Sequence, residues 1–379
     1  MRAPHRHYPA RPAKIRAFNR WRVLQAVRDR GALTRADLAL LLHISKVTAS
    51  AVAAGLLDHG QLIETEKTGS GVGRKAGLLR LSPALGTVLA LDVDAHAVHA
   101  VAADLRGHAG SGDVPSGDVP SGDAPSGGAL PGDREPPSTF ATPDRFDDLL
   151  DAVERAIRDA EARGDGPLRH VAVAVPASVD RDGDPTSAGV PRYLEGSRLR
   201  TALAERRPDV PVLLVNDMNA AALAERRHGA ASDWNDFAYL GIRHSGIGMG
   251  LMLDGTVHRG RAGRAGEIGL LRLDTRFENL DAVLANDGKE ALHELTTVLA
   301  TAFTLLDLEG FVLHADVPRG RPWLAELEER LREVVPYEVQ LRAGRLGRLA
   351  PLHGGLAMAL DAAWASIERD VTGVAPSAP

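Results

Sequence analysis

The chain has no cysteine among its 379 residues. Disulfide bonds and thiolate metal sites are therefore excluded outright. It also has no apolar run approaching the ~20 residues that a bilayer-spanning helix needs. Its arginine-rich start has neither the apolar segment nor the small-residue cleavage site of a secretory signal. A cytoplasmic protein with no membrane contact is expected. What the chain does have is length for two or three units of ordinary domain size, and 44% hydrophobic residues with which to fill their cores.

The most informative stretch is 34–75. Thr34 and Ser45 each stand just before a helical run, where a hydroxyl accepts a bond from an otherwise unpaired backbone N–H. Between the two runs, His43-Ile44 leaves room only for a tight turn. Along the second run Val47, Ala51, Ala54 and Leu57 recur at helical spacing. That predicts a buried face, with Lys46, Thr48, Ala49 and Ser50 pointing outward. Small and polar side chains facing out suit a helix laid against base edges in the major groove. A hairpin follows, 61–66 and back at 78–81, and its glycine-rich turn carries Arg74 and Lys75 at a flexible tip. The layout is that of a winged helix-turn-helix.

A two-helix piece of an ordinary core would show the same apolar spacing. It would not show the charge. Residues 1–81 hold 15 Lys and Arg against 5 Asp and Glu, whereas the whole chain has a net charge of −5. A small basic unit on an acidic body is the electrostatic footprint of a protein that binds duplex DNA.

The chain divides on this reading into a flexible basic arm (1–16), the winged helix-turn-helix (17–82) and an α/β body (86–379). Arginines of the arm either touch DNA or are merely solvated. A first helix is expected over 19–30, stopped by Gly31. In the body, strands at 88–94, 97–104, 170–175, 211–215 and 237–241 alternate with helices at 144–162, 198–205 and 217–227. Then come a glycine turn at 245–250, a hairpin through Asp254-Gly255, and helices at 291–306, 323–334 and 353–368. Residues 107–138 contain a five-residue repeat of turn formers with too little apolar surface to offset the entropy of ordering, so this insertion is expected to be disordered. The strand at 211–215 runs straight into Asn216-Asp217-Met218-Asn219. Ligands of open α/β folds collect at such strand-to-helix junctions.

These residues carry a family resemblance. Leu214-Val215-Asn216-Asp217-Met218-Asn219-Ala220-Ala221-Ala222-Leu223-Ala224-Glu225, Gly246-Ile247-Gly248-Met249-Gly250, Asp254-Gly255 and Ala265-Gly266-Glu267-Ile268-Gly269 resemble the body of the ROK family, which comprises bacterial sugar kinases and sugar-responsive repressors. The stretches Thr34-Arg35-Ala36-Asp37-Leu38-Ala39, Ser45-Lys46-Val47-Thr48 and Gly73-Arg74 are similar to the winged helix-turn-helix of its repressor branch. The resemblance runs from about Ala17 onward, the repeat excepted. It implies an α/β, actin-like (ribonuclease H-like) fold of two lobes, the ATPase and sugar-kinase architecture, with a sugar and nucleotide cleft between them. It also implies ligand-binding roles for Asn216, Asp217, Glu267 and Asp281. In the kinases the aspartate matching Asp217 takes the proton from the attacking sugar hydroxyl.

Three departures from the kinase pattern shape the expected function. Asp94-Ala95-His96 replaces a Gly-Gly-Thr type turn that lets backbone N–H groups approach the ATP phosphates. A carboxylate there repels phosphate, and a methyl fills space meant for hydrogen. Phosphoryl transfer rests on positioning and charge stabilisation, so catalysis should be lost and Asp217 is vestigial as a base. Leu270 stands where a histidine opens the family's zinc site, and with no cysteine neither zinc nor any other cofactor is expected. Val190 replaces an asparagine that faces the sugar.

The expected protein is a transcriptional regulator of the repressor type rather than an enzyme. It would bind a double-stranded DNA operator through Thr34, Arg35, Ser45, Lys46, Thr48, Ala49, Arg74 and Lys75. It would act as a homodimer or tetramer and answer to a sugar or sugar derivative. Two other readings stay open: a sugar kinase with a fused DNA-binding head, and a ligand-independent regulator that uses its body only to dimerise.

Overall fold

The computed structural model describes residues 12–65, 77–94, 97–108, 137–141, 145–186, 194, 198–243, 246–273, 280, 288–315 and 320–373. The chain opens with α1 (Pro12–Arg30), α2 (Arg35–Leu41) and α3 (Lys46–Asp58). α1 starts seven residues before the expected Asn19, because Ala13, Lys14 and Arg16 are good helix formers and Pro12 at the first position gives up only an N–H that has no helical partner there. Residues 12–16 of the proposed arm are therefore helical, and 1–11 lie outside the described residues.

Both hydroxyl caps form. The Thr34 Oγ1 accepts from the Asp37 N–H at 3.2 Å, and the Asp37 carboxylate accepts from the Thr34 N–H at 2.9 Å, a reciprocal capping box. Ser45 Oγ accepts from the Thr48 N–H at 3.0 Å. In the turn between the two helices His43 takes the left-handed conformation, with φ at 52°. Replacing Thr34 by Ala removes one side of the box and is expected to cost about 1 kcal/mol. The check is a urea melt; an unchanged midpoint would show that the box contributes nothing.

The wing hairpin pairs β1 (Leu62–Thr65) antiparallel with β2 (Leu78–Leu81), Leu62 opposite Leu81 and Thr65 opposite Leu78. A bridge between Leu33 and Leu79 joins the helical part to it. The wing turn at 66–76, with Arg74 and Lys75, lies outside the described residues.

The body contains two five-stranded sheets. The first is built from β3 (Thr87–Val93), β4 (Ala97–Asp104), β5 (Ser138–Ala141) and β6 (Leu168–Val175). After the short pair β7 (Ser178–Val179) and β8 (Pro185–Thr186) it adds β9 (Val212–Asn216), in the order β5-β4-β3-β6-β9. The second has β10 (Phe237–Arg243), β11 (Gly246–Leu253), β12 (Thr256–Val257), β13 (Gly310–Ala315) and β14 (Gln340–Ala343), in the order β12-β11-β10-β13-β14. In each, a first strand pairs antiparallel with the next and parallel with the fourth. This duplicated order is the expected actin-like plan. The helices are α4 (Phe146–Arg163), α5 (Leu199–Arg206), α6 (Asp217–His228), α7 (Gly288–Leu306), α8 (Gly320–Val334) and α9 (Ala350–Thr372). Most of the repeat insertion, 109–136, lies outside the described residues. Among the described residues no single helix is long and apolar enough to cross a membrane.

Further features of the body differ from expectation. β13 and β14 were not anticipated: β13 is buried at four successive residues and β14 is a four-residue edge strand with exposed ends, so neither shows the period-two alternation that marks a half-exposed strand. The glycine segment expected to turn at 245–250 is instead strand from Gly246 onward, paired residue for residue with β10. Its glycines make room for the first turn of α6. A Cβ on Gly248 would come within 2.7 Å of the Met218 side chain, and one on Gly250 within 2.2 Å of the Met218 carbonyl oxygen.

Head and body share one core. Trp21, Leu24 and Val27 of α1 join Leu85, Val88, Leu356, Trp364 and Ile367 in a single apolar cluster. Trp21 and Trp364 sit with ring centroids 5.8 Å apart. The Trp364 indole N–H donates to the Leu105 carbonyl at 2.9 Å, and the Arg28 guanidinium lies over its ring at 4.9 Å. The helical head is thus seated on α9.

Candidate functional site

On the head, α3 presents Lys46, Val47, Ser50, Ala51 and Ala54 to solvent and buries Ala49, Val52, Ala53 and Leu56. The helical period was legible, but its phase was not. Ala49, expected to face DNA, is 0% exposed and cannot reach a duplex, whereas Val47, expected inside, is 80% exposed. The cause is that both sides of this alanine-rich helix are apolar enough to be a core face, and contact with α1 and β1 selects the one containing Leu56.

Lys46 and Ser45 are exposed at the N-terminus of α3. Thr48 is half-buried, its Oγ1 2.8 Å from the Ser45 hydroxyl. The Thr34 hydroxyl is committed to its capping box. Arg35, at the start of α2, forks onto Glu64 of β1, one bond being 2.9 Å. That hydrogen bond raises the Arg35 pKa and lowers that of Glu64, so the pair neutralises itself while tying α2 to the wing.

The second cluster lies where β3, β9 and β10 end. Asn216 caps α6: its Oδ1 accepts from the Asn219 N–H at 2.9 Å and its Nδ2 donates to the Ala177 carbonyl at 3.1 Å. Asp217, 3% exposed, accepts from the Met218 N–H at 2.8 Å through one oxygen and from Arg243 at 3.2 Å through the other. Burial pushes its pKa up, against the pull of Arg243. Asp92 of β3 is 2% exposed, and burial moves its carboxyl to about 7; Arg243 and His99 oppose this shift, while Asp217 and Asp94 add to it. Asp92 Oδ1 and Asn219 Oδ1 are buried with no hydrogen-bond partner among the described residues.

Asp92 and Arg243 escaped the sequence reading, although each left a trace. Asp92 interrupts the apolar run Val88-Leu89-Ala90-Leu91, and Arg243 ends the apolar strand Phe237–Arg243. An ionisable group at the end of a buried strand marks a site.

The turn that would cradle phosphate is differently built. The Asp94 Oδ1 accepts from the Ala97 N–H at 2.7 Å. Its other oxygen faces His99 at 3.4 Å and Arg348 at 3.6 Å, and Arg348 is itself 2.6 Å from the His99 Nε2. Arg348 belongs to the turn just before α9, so it reaches across from the second half of the body. A carboxylate already turned to a histidine and an arginine does not fit the role of a phosphate cradle. Ala95 and His96 lie outside the described residues. Nor can the chain build the family's cysteine-bound zinc site, since it has no thiolate at all.

Glu267, half-buried, precedes the 3₁₀ turn Ile268–Leu270. Its loop is fixed by backbone contacts on both sides. Gly266, at φ 88°, leaves no space for a Cβ beside the Met249 carbonyl, and the Met249 N–H donates back to Gly266 at 3.0 Å. Arg259 donates to the carbonyls of Val179 and Asp180 at 3.1 Å each, stitching the second lobe's loop to β7 of the first. The structure thus brings Asn216, Asp217, Asp92 and Arg243 together and holds Glu267 on this neighbouring loop. Asp281 and Val190 lie outside the described residues.

Two sheets of duplicated strand order, with the buried carboxylates Asp92 on the central strand β3 and Asp217 just after the edge strand β9, define the actin-like fold. Residues 138–282 match the ROK family model. Among solved structures it is similar to a ROK family transcriptional regulator homologous to the E. coli MLC protein, with 18% identity, 95% of this chain and 100% of that one covered, and a TM-score of 0.64. It is also similar to the ROK family glucokinase of Streptomyces griseus in complex with glucose and AMPPNP, with 19% identity, 73% of this chain and 100% of that one covered, and a TM-score of 0.56. Among curated proteins it is 22% identical over 255 residues to the xylose repressor of Caldicellulosiruptor bescii, covering 67% of this chain and 58% of that protein. It is 34% identical over 141 residues to the beta-glucoside kinase of Listeria monocytogenes, covering 37% of this chain and 45% of the kinase. The chain spans about three fifths of the length of the xylose repressors it matches.

Proposed function

We propose that this protein is a cytoplasmic DNA-binding transcriptional regulator of the repressor type whose body has given up sugar phosphorylation. The observation that carries the reading is the solvent-facing side of α3, presented at the surface of a basic head. A helix N-terminus and a cationic surface supply phosphate contacts, and the exposed face supplies base contacts. Lys46 serves at the start of the recognition helix, and Arg74 and Lys75 reach the minor groove from the wing. Two heads on a two-fold assembly, dimer or tetramer, fit half-sites about one helical turn, or a multiple of it, apart.

Loss of catalysis is supported by the cleft. Asp217 has one oxygen held by a backbone N–H and the other by Arg243, so it is not presented to a sugar hydroxyl as a base. The Asp94 carboxylate, standing in the turn that would cradle phosphate, opposes phosphate binding. The remaining role for Asn216, Asp217, Glu267 and Asp281 is to bind a sugar or sugar derivative without transforming it. The names of the repressor relatives make xylose the first candidate. Such a ligand would act by binding the two states of the head-bearing assembly unequally.

The test is a gel shift of the full chain on the DNA upstream of its own gene. A sequence-dependent shift is expected, weakening by roughly a thousandfold between 50 and 200 mM salt, as counterion release at about six phosphates requires. Xylose or another monosaccharide should reverse it. Absence of a shift at low salt would retire the proposal, and hexose phosphorylation that needs ATP and vanishes in Asp217→Asn would restore the kinase.

A further inference from the structure

The exposed side of α3 is chemically lopsided. Val47, Ser50, Ala51 and Ala54 are spaced as neighbours on one helix face, and all four are exposed. Lys46 stands beside them at the helix start. The stripe contains no arginine, asparagine, glutamine, aspartate or glutamate. Those are the side chains that discriminate guanine, adenine and cytosine through hydrogen bonds to base edges. An isopropyl group and two methyls make apolar contacts only. The apolar group that B-DNA displays in its major groove is the C5 methyl of thymine.

Val47, at 80% exposure, is a large apolar side chain in a position where water would otherwise surround it. The basic charge of the head specifies nucleic acid as the occupant. The caps also matter: Ser45 and Thr48 turn their hydroxyls toward each other, and Arg35 turns to Glu64, so the groups best able to read bases by hydrogen bonding near the helix start are engaged within the head.

Resting on the DNA-binding reading above, we propose that α3 recognises its operator chiefly through thymine methyl groups. Val47 and Ala51 pack on the C5 methyls of adjacent thymines in each half-site. Ser50 bonds to a neighbouring base edge, and Lys46 contributes a phosphate or guanine contact at the helix start. Sequence preference at these positions then comes from apolar fit rather than from paired hydrogen bonds.

Deoxyuridine provides the test, since it keeps every hydrogen-bonding group of thymine and lacks only the methyl. The full chain first selects duplexes from a randomised pool. The winning duplex is then resynthesised with one thymine at a time replaced by deoxyuridine, and its affinity is measured by fluorescence anisotropy. Covering one methyl is worth about fourfold in affinity. A loss of that size is expected at one or two adjacent thymines per half-site. Val47→Ala, a surface change whose folding is checked by circular dichroism, should abolish the loss at one of these thymines and leave salt dependence unchanged.

If the selected duplex binds yet no deoxyuridine substitution weakens it, or if Val47→Ala leaves the deoxyuridine effect intact, methyl reading is wrong while DNA binding stands. If the pool yields no enriched duplex, both fall.

Discussion

Trp364→Ala is expected to remove roughly 3–5 kcal/mol of stability, in the range for truncating a buried aromatic. The indole is 3% exposed on α9 and stands at the seam between the head and the first lobe. Its loss opens a cavity beside Trp21, strands the Leu105 carbonyl that its N–H satisfies, and leaves the Arg28 guanidinium without the ring it covers. Burial already lowers the Arg28 pKa, against the pull of Asp29 and Asp361. Calorimetry should show a single transition in the wild type, because one apolar cluster runs through head and body. In the variant the head should melt separately and earlier. A loss under about 1 kcal/mol would mean that Trp364 does not hold the seam, and a single unbroken transition in the variant would mean that the remaining apolar contacts suffice to couple head and body.

The seam also shows how the buried carboxylate cluster and α3 share a scaffold. α9 lies so close to α6 that a Cβ on Gly354 would fall 1.8 Å from the Ala220 carbonyl oxygen. Arg227 of α6 pairs with Asp361 of α9. The first turn of α6 carries Asp217, and the far end of α9 carries the indole on which α1 rests. This packing places the head against the same pair of helices that carries Asp217.

The second large effect is on pH dependence. In the unfolded chain the Asp92 carboxyl ionises near 3.8, whereas in the folded protein burial keeps its proton on until about 7. Between these values the unfolded chain binds fewer protons, so stability falls as pH rises. The contribution is fully present below about pH 4 and is lost as pH passes through 7. A displacement of this size corresponds to on the order of 4 kcal/mol, and the raised Asp217 acts in the same direction. Asp92→Asn keeps the shape and removes the titration. Urea midpoints measured from pH 4 to 8 should therefore decline less in Asp92→Asn than in the wild type, with the variant the more stable at pH 8. Parallel curves would show that Asp92 is ionised throughout.

Much of the head and the position of the cleft could be read without coordinates, because they depend on neighbours a few residues away. Thr34 and Ser45 cap helices through N–H groups three residues on. Asn216-Asp217 ends a strand and begins a helix by the same short-range chemistry. Caps, turns and strand-to-helix junctions are local, so spacing along the chain suffices to find them. The segregation of positive charge is likewise a property of composition.

What spacing could not decide was set by distant partners. The α3 period was plain, but with alanines on both sides only packing against α1 and β1 could turn Ala49 inward and Val47 outward. The glycines of β11 looked like a turn until Met218, far away in the chain, was seen to occupy the space their side chains would fill. Asp92, Arg243 and Arg348 lie on three different elements, and folding alone brings them to the carboxylates they face. A helix can rotate about its axis without changing its local bonds. Which of its faces meets the core, and which charge meets which, is therefore a tertiary outcome.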